Sequence, residues 1–210
     1  MQTSYKALIP AAGYGTRMNL LPTQAKEMLL DPNTGVPLIQ YHLDVCKEHN
    51  IIPHVITRKD KHDLISYLTE HNIEYSLNAP EGEWPHAILS SYEFWGDKNF
   101  LFLPDTRFEG KNVINDMKNS IDLGANSCFA IHQVDDVSKW GQVVDYSVIE
   151  KPKNNTSGWA WGIAAFNKQS GKAWLETMNT RNKPYYLLNS SFVYMDKFVD
   201  ITRAGVLERY

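Results

Sequence analysis

The chain has 210 residues, 43% of them apolar and 21% charged, with a net charge of −3. That length buries a substantial core in a single domain spanning 1–210, and the acidic balance excludes a nucleic-acid binder that relies on bulk positive charge. No uncharged apolar run approaches the ~20 residues that span a bilayer, and the N-terminal MQTSYK has no basic-then-apolar leader pattern, so no membrane partner is expected.

In chain order, Ala7, Leu8 and Ile9 form a short apolar run suited to the centre of a sheet, and Pro10 ends it for want of an N–H. Ala11, Ala12, Gly13 and Gly15 then leave little side chain in the way, so backbone N–H groups can approach an anion closely. Thr16 and Arg17 follow, Arg17 with a planar donor fork suited to phosphate oxygens, and Lys26 adds a point charge nine residues on. The dinucleotide fingerprint G-x-G-x-x-G fails because Met18 stands three after Gly15, and no G-K-[ST] follows. Pro37 to His49 has Leu38, Tyr41 and Val45 on one stripe, with Ile39, Leu43 and Cys46 beside it, and reads as an amphipathic helix.

Ile51 to Thr57 is the next predicted strand, Asp60 to His71 a helix and Ile73 to Leu77 a third strand. After a loop from Asn78 to Pro85, His86 to Trp95 reads as a helix and Phe100 to Leu103 as a buried strand that Pro104 halts at Asp105. An acid there sits at the carboxyl end of a parallel strand, where open α/β sheets hold ligands. Val113 to Leu123 reads as a helix, and Cys128 to Val134, Gln142 to Ile149 and Trp159 to Phe166 as strands, with Glu150-Lys151-Pro152 between the last two. Tyr185 to Val193 fits helix or strand, and Asp196 to Ile201 a short strand. Cys46 and Cys128, distant and in apolar surroundings, read as buried free thiols in a reducing cytoplasm. Two glycosylation sequons, at Asn154 and Asn189, read as chance in a chain without a leader.

The combination of A-A-G-x-G-T-R, Lys26 ahead of Met28-Leu29-Leu30, and Gly35-Val36-Pro37-Leu38 opening a helix resembles the N-terminal signature of the sugar-phosphate nucleotidyltransferases, above all glucose-1-phosphate thymidylyltransferases and uridylyltransferases. The resemblance implies an α/β fold with a Rossmann-like mixed, mostly parallel sheet flanked by helices. It also implies transfer of a nucleoside monophosphate from a nucleoside triphosphate to a sugar 1-phosphate, releasing pyrophosphate, with Mg²⁺ as cofactor. Such chemistry brings two anions together, so catalysis is mainly charge neutralisation and in-line positioning.

By the same resemblance, Arg17 serves the leaving pyrophosphate, Lys26 the phosphates from the other side and Lys151 of the E-K-P motif the acceptor phosphate, with Glu150 beside it. Asp105 stands where the family's first metal ligand does, although Pro104 and Thr106 replace the usual glycine and asparagine. Phe198-Val199-Asp200-Ile201-Thr202 is the counterpart of a W-x-D-T-G pattern that carries the second ligand, with Asp196 near enough to compete with Asp200. Gly82 matches a loop that borders the base, Trp140-Gly141 a Y-G pair and Gly162 a glycine that faces the sugar. The glutamine of the thymidylyl branch is missing, with Leu77 and Asn78 in its place, which leaves the base open. The sugar and any homo-oligomer stay open too. Two other readings remain: CTP-dependent activation of a non-sugar phosphate such as phosphocholine, and a nucleotide-binding module without turnover.

Overall fold

The computed structural model describes residues 4–15, 20–21, 23–77, 84–135, 140–144, 147–150, 157–178, 185–186 and 188–201. Strand β1 (Tyr5–Pro10) alternates its buried side chains between the two faces of the sheet: Ala7 and Ile9 join one apolar cluster, Leu8 the other. Helix α1 (Gln40–Glu48) and strand β2 (Ile51–Thr57) follow, then α2 (His62–Glu70) and β3 (Glu74–Leu77). Each helix is left through an asparagine in the left-handed region, Asn50 at φ 53° and Asn72 at φ 54°, a conformation that Asn tolerates at a helix exit. Helix α3 (Trp84–Ser90), a 3₁₀ turn at Tyr92–Phe94 and β4 (Lys98–Leu101) complete a parallel block in the order β4-β1-β2-β3. Helices cover both of its faces, which is why its strands read as continuous apolar runs.

The second half departs from the sequence expectation in several places. Strand β5 (Thr106–Glu109) and helix α5 (Lys168–Met178) were not anticipated. Helix α5 buries Gly171, Trp174, Leu175 and Met178, a helical spacing that the sequence does carry. The single strand expected over Gln142 to Ile149 is a hairpin of β7 (Gly141–Val144) and β8 (Ser147–Glu150), in which Val143 pairs with Val148. Without a glycine-bearing turn signal, the reversal was invisible in a β-branched run. Helix α4 (Val113–Asp122), β6 (Ser127–Gln133) and β9 (Trp159–Asn167) lie close to their expected bounds. The ambiguous stretch forms β10 (Tyr185–Tyr186) and β11 (Ser190–Tyr194). The last described strand, β12 (Lys197–Asp200), pairs antiparallel with β5 in a separate two-stranded ribbon.

Strand β9 joins the halves of the mixed sheet, pairing antiparallel with β4, β6 and β7. Its register against β6 slips between Ile163, opposite Ala130, and Trp161, opposite Ile131, so Gly162 is an extra, bulged residue. The bulge inverts the side-chain alternation. Ile163 and Ala165 pack with α1, α2 and α4, whereas Trp161, Ala164 and Phe166 all pack with α3 and α5. Among the described residues, no helix is long and apolar enough to cross a membrane.

Candidate active site

The glycine loop leaves β1 with its backbone already engaged. The Ala11 N–H donates to the Ile56 carbonyl at 2.7 Å, continuing the β1–β2 ladder for one residue. Ala11 was expected among the anion donors, but its N–H is committed to the sheet. The Ala11 carbonyl accepts from Lys61 Nζ at 2.7 Å, and Lys61 also donates to Glu27 Oε2 at 2.8 Å. Both side chains of this ion pair are fully buried. Burial lowers the Lys61 pKa, against the opposing charge and hydrogen bond of Glu27. One residue on, the Ala12 carbonyl accepts from Arg58 Nη1 at 3.3 Å. Arg58 also grips Asp60 through two nitrogens at 2.9 and 3.1 Å, and its guanidinium lies 3.6 Å over the Tyr14 ring. Gly13 faces open space, and Gly15 needs its glycine for a φ of 64°. Thr16 and Arg17 lie outside the described residues, as do Gly82 and Lys151.

Lys26, Asp105 and Asp200 converge. Lys26 opens a 3₁₀ turn (Lys26–Met28) and its Nζ donates to Asp105 Oδ2 at 2.6 Å. Burial opposes the Lys26 charge, but Asp105, Glu27 and Asp200 together more than offset it and the pKa is raised. Asp200 reaches this neighbourhood through the β5–β12 ribbon, where it pairs with Thr106, and the next N–H, of Ile201, donates to the Asp105 carbonyl at 2.9 Å. Asp196 sits at the other end of that ribbon, with its N–H on the Glu109 carbonyl. The turn carrying Asp105 is braced on its far side: Thr106 Oγ1 donates to the Leu103 carbonyl at 2.7 Å, and Arg107 donates to Asp31 at 3.2 Å and to the Leu38 carbonyl at 2.9 Å. Beneath it, buried His42 stacks on Phe102 and lies 3.4 Å from Thr106 Oγ1. Burial, with the Arg107 charge adding, pushes the His42 pKa down to about 3.

The expected acceptor side is walled with aromatic rings. Trp140 meets His132 and Phe198 edge-on, at 5.4 and 5.6 Å between centroids. Gly141, paired with Glu150 across the hairpin, is held against the Trp161 indole, and a Cβ there would lie 1.9 Å from Nε1. Gly162 lies under Phe198, whose ring would be 2.4 Å from an added Cβ. Gly162→Ala should therefore cost ~1–3 kcal/mol by overpacking. Thermal unfolding should show that loss in the wild-type background and little of it in Phe198→Ala, and additive losses would exclude this account. Trp84 packs on Trp161 and Trp174 at 6.0 and 6.5 Å, against the second apolar cluster. Burial also lowers the pKa of His132, to about 4.

Sequence reasoning missed Glu27, Arg58, Lys61, His42 and His132, all buried. A signal existed for two of them. Arg58 follows directly, and Lys61 three residues later, on the carboxyl end of an apolar parallel strand, the same kind of position that singled out Asp105.

The same arrangement of elements recurs in solved structures. A UDP-glucose pyrophosphorylase from Acinetobacter baumannii superposes with a TM-score of 0.72 at 17% identity, over 98% of this chain and 91% of that one. A provisionally named UTP–glucose-1-phosphate uridylyltransferase of Methanocaldococcus jannaschii is 29% identical over 181 residues, or 70% of this chain, which spans 61% of that relative's length. The UTP–glucose-1-phosphate uridylyltransferase of Pseudomonas aeruginosa is 30% identical over 193 residues, 70% of this chain and 68% of that protein. The nucleotidyl transferase family model matches residues 6–204, from the strand that feeds the glycine loop to just beyond Asp200. With loop, Lys26 and both aspartates inside that span, the chain belongs to the nucleotidyl transferase family.

Proposed function

We propose that the protein transfers a uridylyl group from UTP to a hexose 1-phosphate, glucose 1-phosphate first among them, giving a nucleoside-diphosphate sugar and pyrophosphate. The observation that carries this reading is the convergence of Lys26, Asp105 and Asp200 in a member of this family. The choice of UTP and glucose 1-phosphate follows the names of the two relatives.

In the reaction, a phosphate oxygen of the acceptor attacks the α-phosphorus while the bond to the β-phosphate oxygen breaks. A phosphomonoester with a second pKa near ~6 is largely a dianion at neutral pH, so no proton has to leave the nucleophile. The chain's work is to hold two anions in line and to offset their charge. The Ala12 and Gly13 N–H groups face the phosphates, Lys26 neutralises them from the Asp105 side, Arg17 takes the leaving pyrophosphate and Lys151 the acceptor phosphate. Trp140, Gly141, Glu150 and Gly162 border the acceptor.

The donor set suits Mg²⁺. Among the described residues, no three His, Cys, Asp or Glu side chains gather into a closed cage, and Mg²⁺ keeps its waters and takes one or two carboxylates plus substrate phosphates. Asp105 and Asp200 would hold it, and when bound it offsets charge across the α-phosphate. The test offers UTP, dTTP, CTP, ATP and GTP with glucose 1-phosphate, other sugar 1-phosphates and phosphocholine, and follows pyrophosphate. Release should require UTP, a sugar 1-phosphate and Mg²⁺ together. Release without acceptor, undiminished activity in a chelator, or preference for CTP with phosphocholine would each overturn the reading.

A further inference from the structure

Two buried cations, Lys61 and Arg58, hold successive carbonyls of the glycine loop, and stability alone is a weak reason for burying them. Replacing a buried ion pair by apolar groups of similar size is commonly neutral or stabilising, because removing two charges from water costs about as much as their attraction returns. Yet Lys61 and Glu27 are fully buried, and Arg58 is 1% exposed. What the two cations touch gives them a purpose: Lys61 holds the carbonyl of Ala11, and Arg58 holds the carbonyl of Ala12, the next in the chain.

A trans peptide unit is planar, with its C=O and the following N–H pointing in opposite directions. None of the described peptide bonds is cis. A carbonyl drawn back onto Lys61 therefore turns the Ala12 N–H outward, and a carbonyl drawn back onto Arg58 does the same for Gly13. A Cβ added at Gly13 would meet nothing within 4 Å, so the backbone here is open to approach. The cations work by orientation and not by net charge, because Glu27 compensates Lys61 and Asp60 compensates Arg58. Glu27 ties in a third group, since it lies in the 3₁₀ turn next to Lys26 and anchoring its carboxylate helps to fix the approach of Lys26 to Asp105.

We propose that Lys61 and Arg58 are positioning residues for nucleotide binding, which capture the Ala11 and Ala12 carbonyls from behind and so aim the Ala12 and Gly13 N–H groups at the triphosphate. This rests on the nucleotidyl-transfer reading above. The experiment uses the whole chain and two variants. One is Lys61→Met with Glu27→Gln, which removes both buried charges together and leaves no orphaned carboxylate. The other is Arg58→Met, which releases Asp60, whose side chain is 38% exposed, to solvent.

Calorimetric binding of UTP with Mg²⁺ is the primary readout, with melting temperature and the apparent KM for glucose 1-phosphate beside it. Both variants should melt within a few degrees of wild type and bind UTP about tenfold or more weakly, while the KM for glucose 1-phosphate changes by no more than about twofold. A folded variant of either kind with wild-type UTP affinity would overturn the proposal, as would equal losses for the two substrates. A wild-type chain that turned over dTTP, CTP, ATP or GTP in place of UTP would overturn the choice of nucleotide alone, and the same comparison would then be made with that triphosphate.

Discussion

Asp105→Asn and Asp200→Asn are each expected to lower kcat by about a thousandfold, because a divalent ion's charge stabilisation is worth several kcal/mol and each 1.4 kcal/mol is about tenfold in rate. The fold should tolerate both changes. Lys26 is held in its charged form by three carboxylates, Asp105, Glu27 and Asp200, so removing one charge leaves it two partners. The melting temperature should shift by only a few degrees. The raised Lys26 pKa also gives the sign of the pH effect: the stabilisation is fully present below the ordinary lysine pKa near ~10.4 and is lost only as pH rises through the higher folded value. The titration of Lys26 itself therefore adds nothing to acid lability. Asp196→Asn is the control, since Asp196 lies at the other end of the β5–β12 ribbon. Wild-type turnover in Asp200→Asn, or a large loss in Asp196→Asn, would refute the assignment.

Acid should destabilise the protein steeply through two buried histidines. His42 and His132 have pKa values lowered to about 3 and about 4, against an ordinary value of 6.5. Above pH ~6.5 both are neutral whether folded or unfolded, and stability is unaffected. Below it the unfolded chain takes up protons that the folded chain refuses, so stability falls by ~1.4 kcal/mol per pH unit for each histidine until its folded pKa is reached. At pH ~4.5 the two together cost about 5 kcal/mol, comparable with the whole stability of a small domain. Urea unfolding at several pH values between 7.5 and 4.5 measures this. His42→Phe, which keeps a ring against Phe102, should roughly halve the slope, and a stability that stayed flat down to pH 4.5 would show that the rings are not held neutral.

The parallel block was legible because its strands and helices announce themselves by different periodicities. Ile51 to Thr57 was read to the residue, and β1 and its loop were found from an apolar run ending in proline and glycine. The second half was less legible for identifiable reasons. Strand β5 begins directly after the Asp105 turn and pairs off the main sheet, so it has no alternation of its own to display. The Val143–Val148 hairpin turns without glycine. At the site, Lys26 and Asp105 stood out by motif, and Asp200 only by a loose pattern at the far end of the chain. That all three meet depends on the β5–β12 pairing, which no local signal encodes. Lys61, Arg58 and Glu27 were missed because a charge in a polar stretch reads as solvated, and burial of paired charge leaves no periodic trace.

The extra residue at Gly162 also bears on how this chain can be recombined with its relatives. Upstream of it β9 meets the β7–β8 hairpin, and downstream it meets β4 of the parallel block. A chimera that imported another acceptor side would have to carry its own copy of the bulge or splice beyond it. A junction that kept Gly162 but continued the strand without the bulge would turn Trp161 to the face of Ile163, away from Trp84 and Trp174 and toward Phe198, two residues from Asp200. Gene shuffling across β9 is thus governed by the parity of the strand: a donor segment without the bulge fits only if it is also one residue shorter.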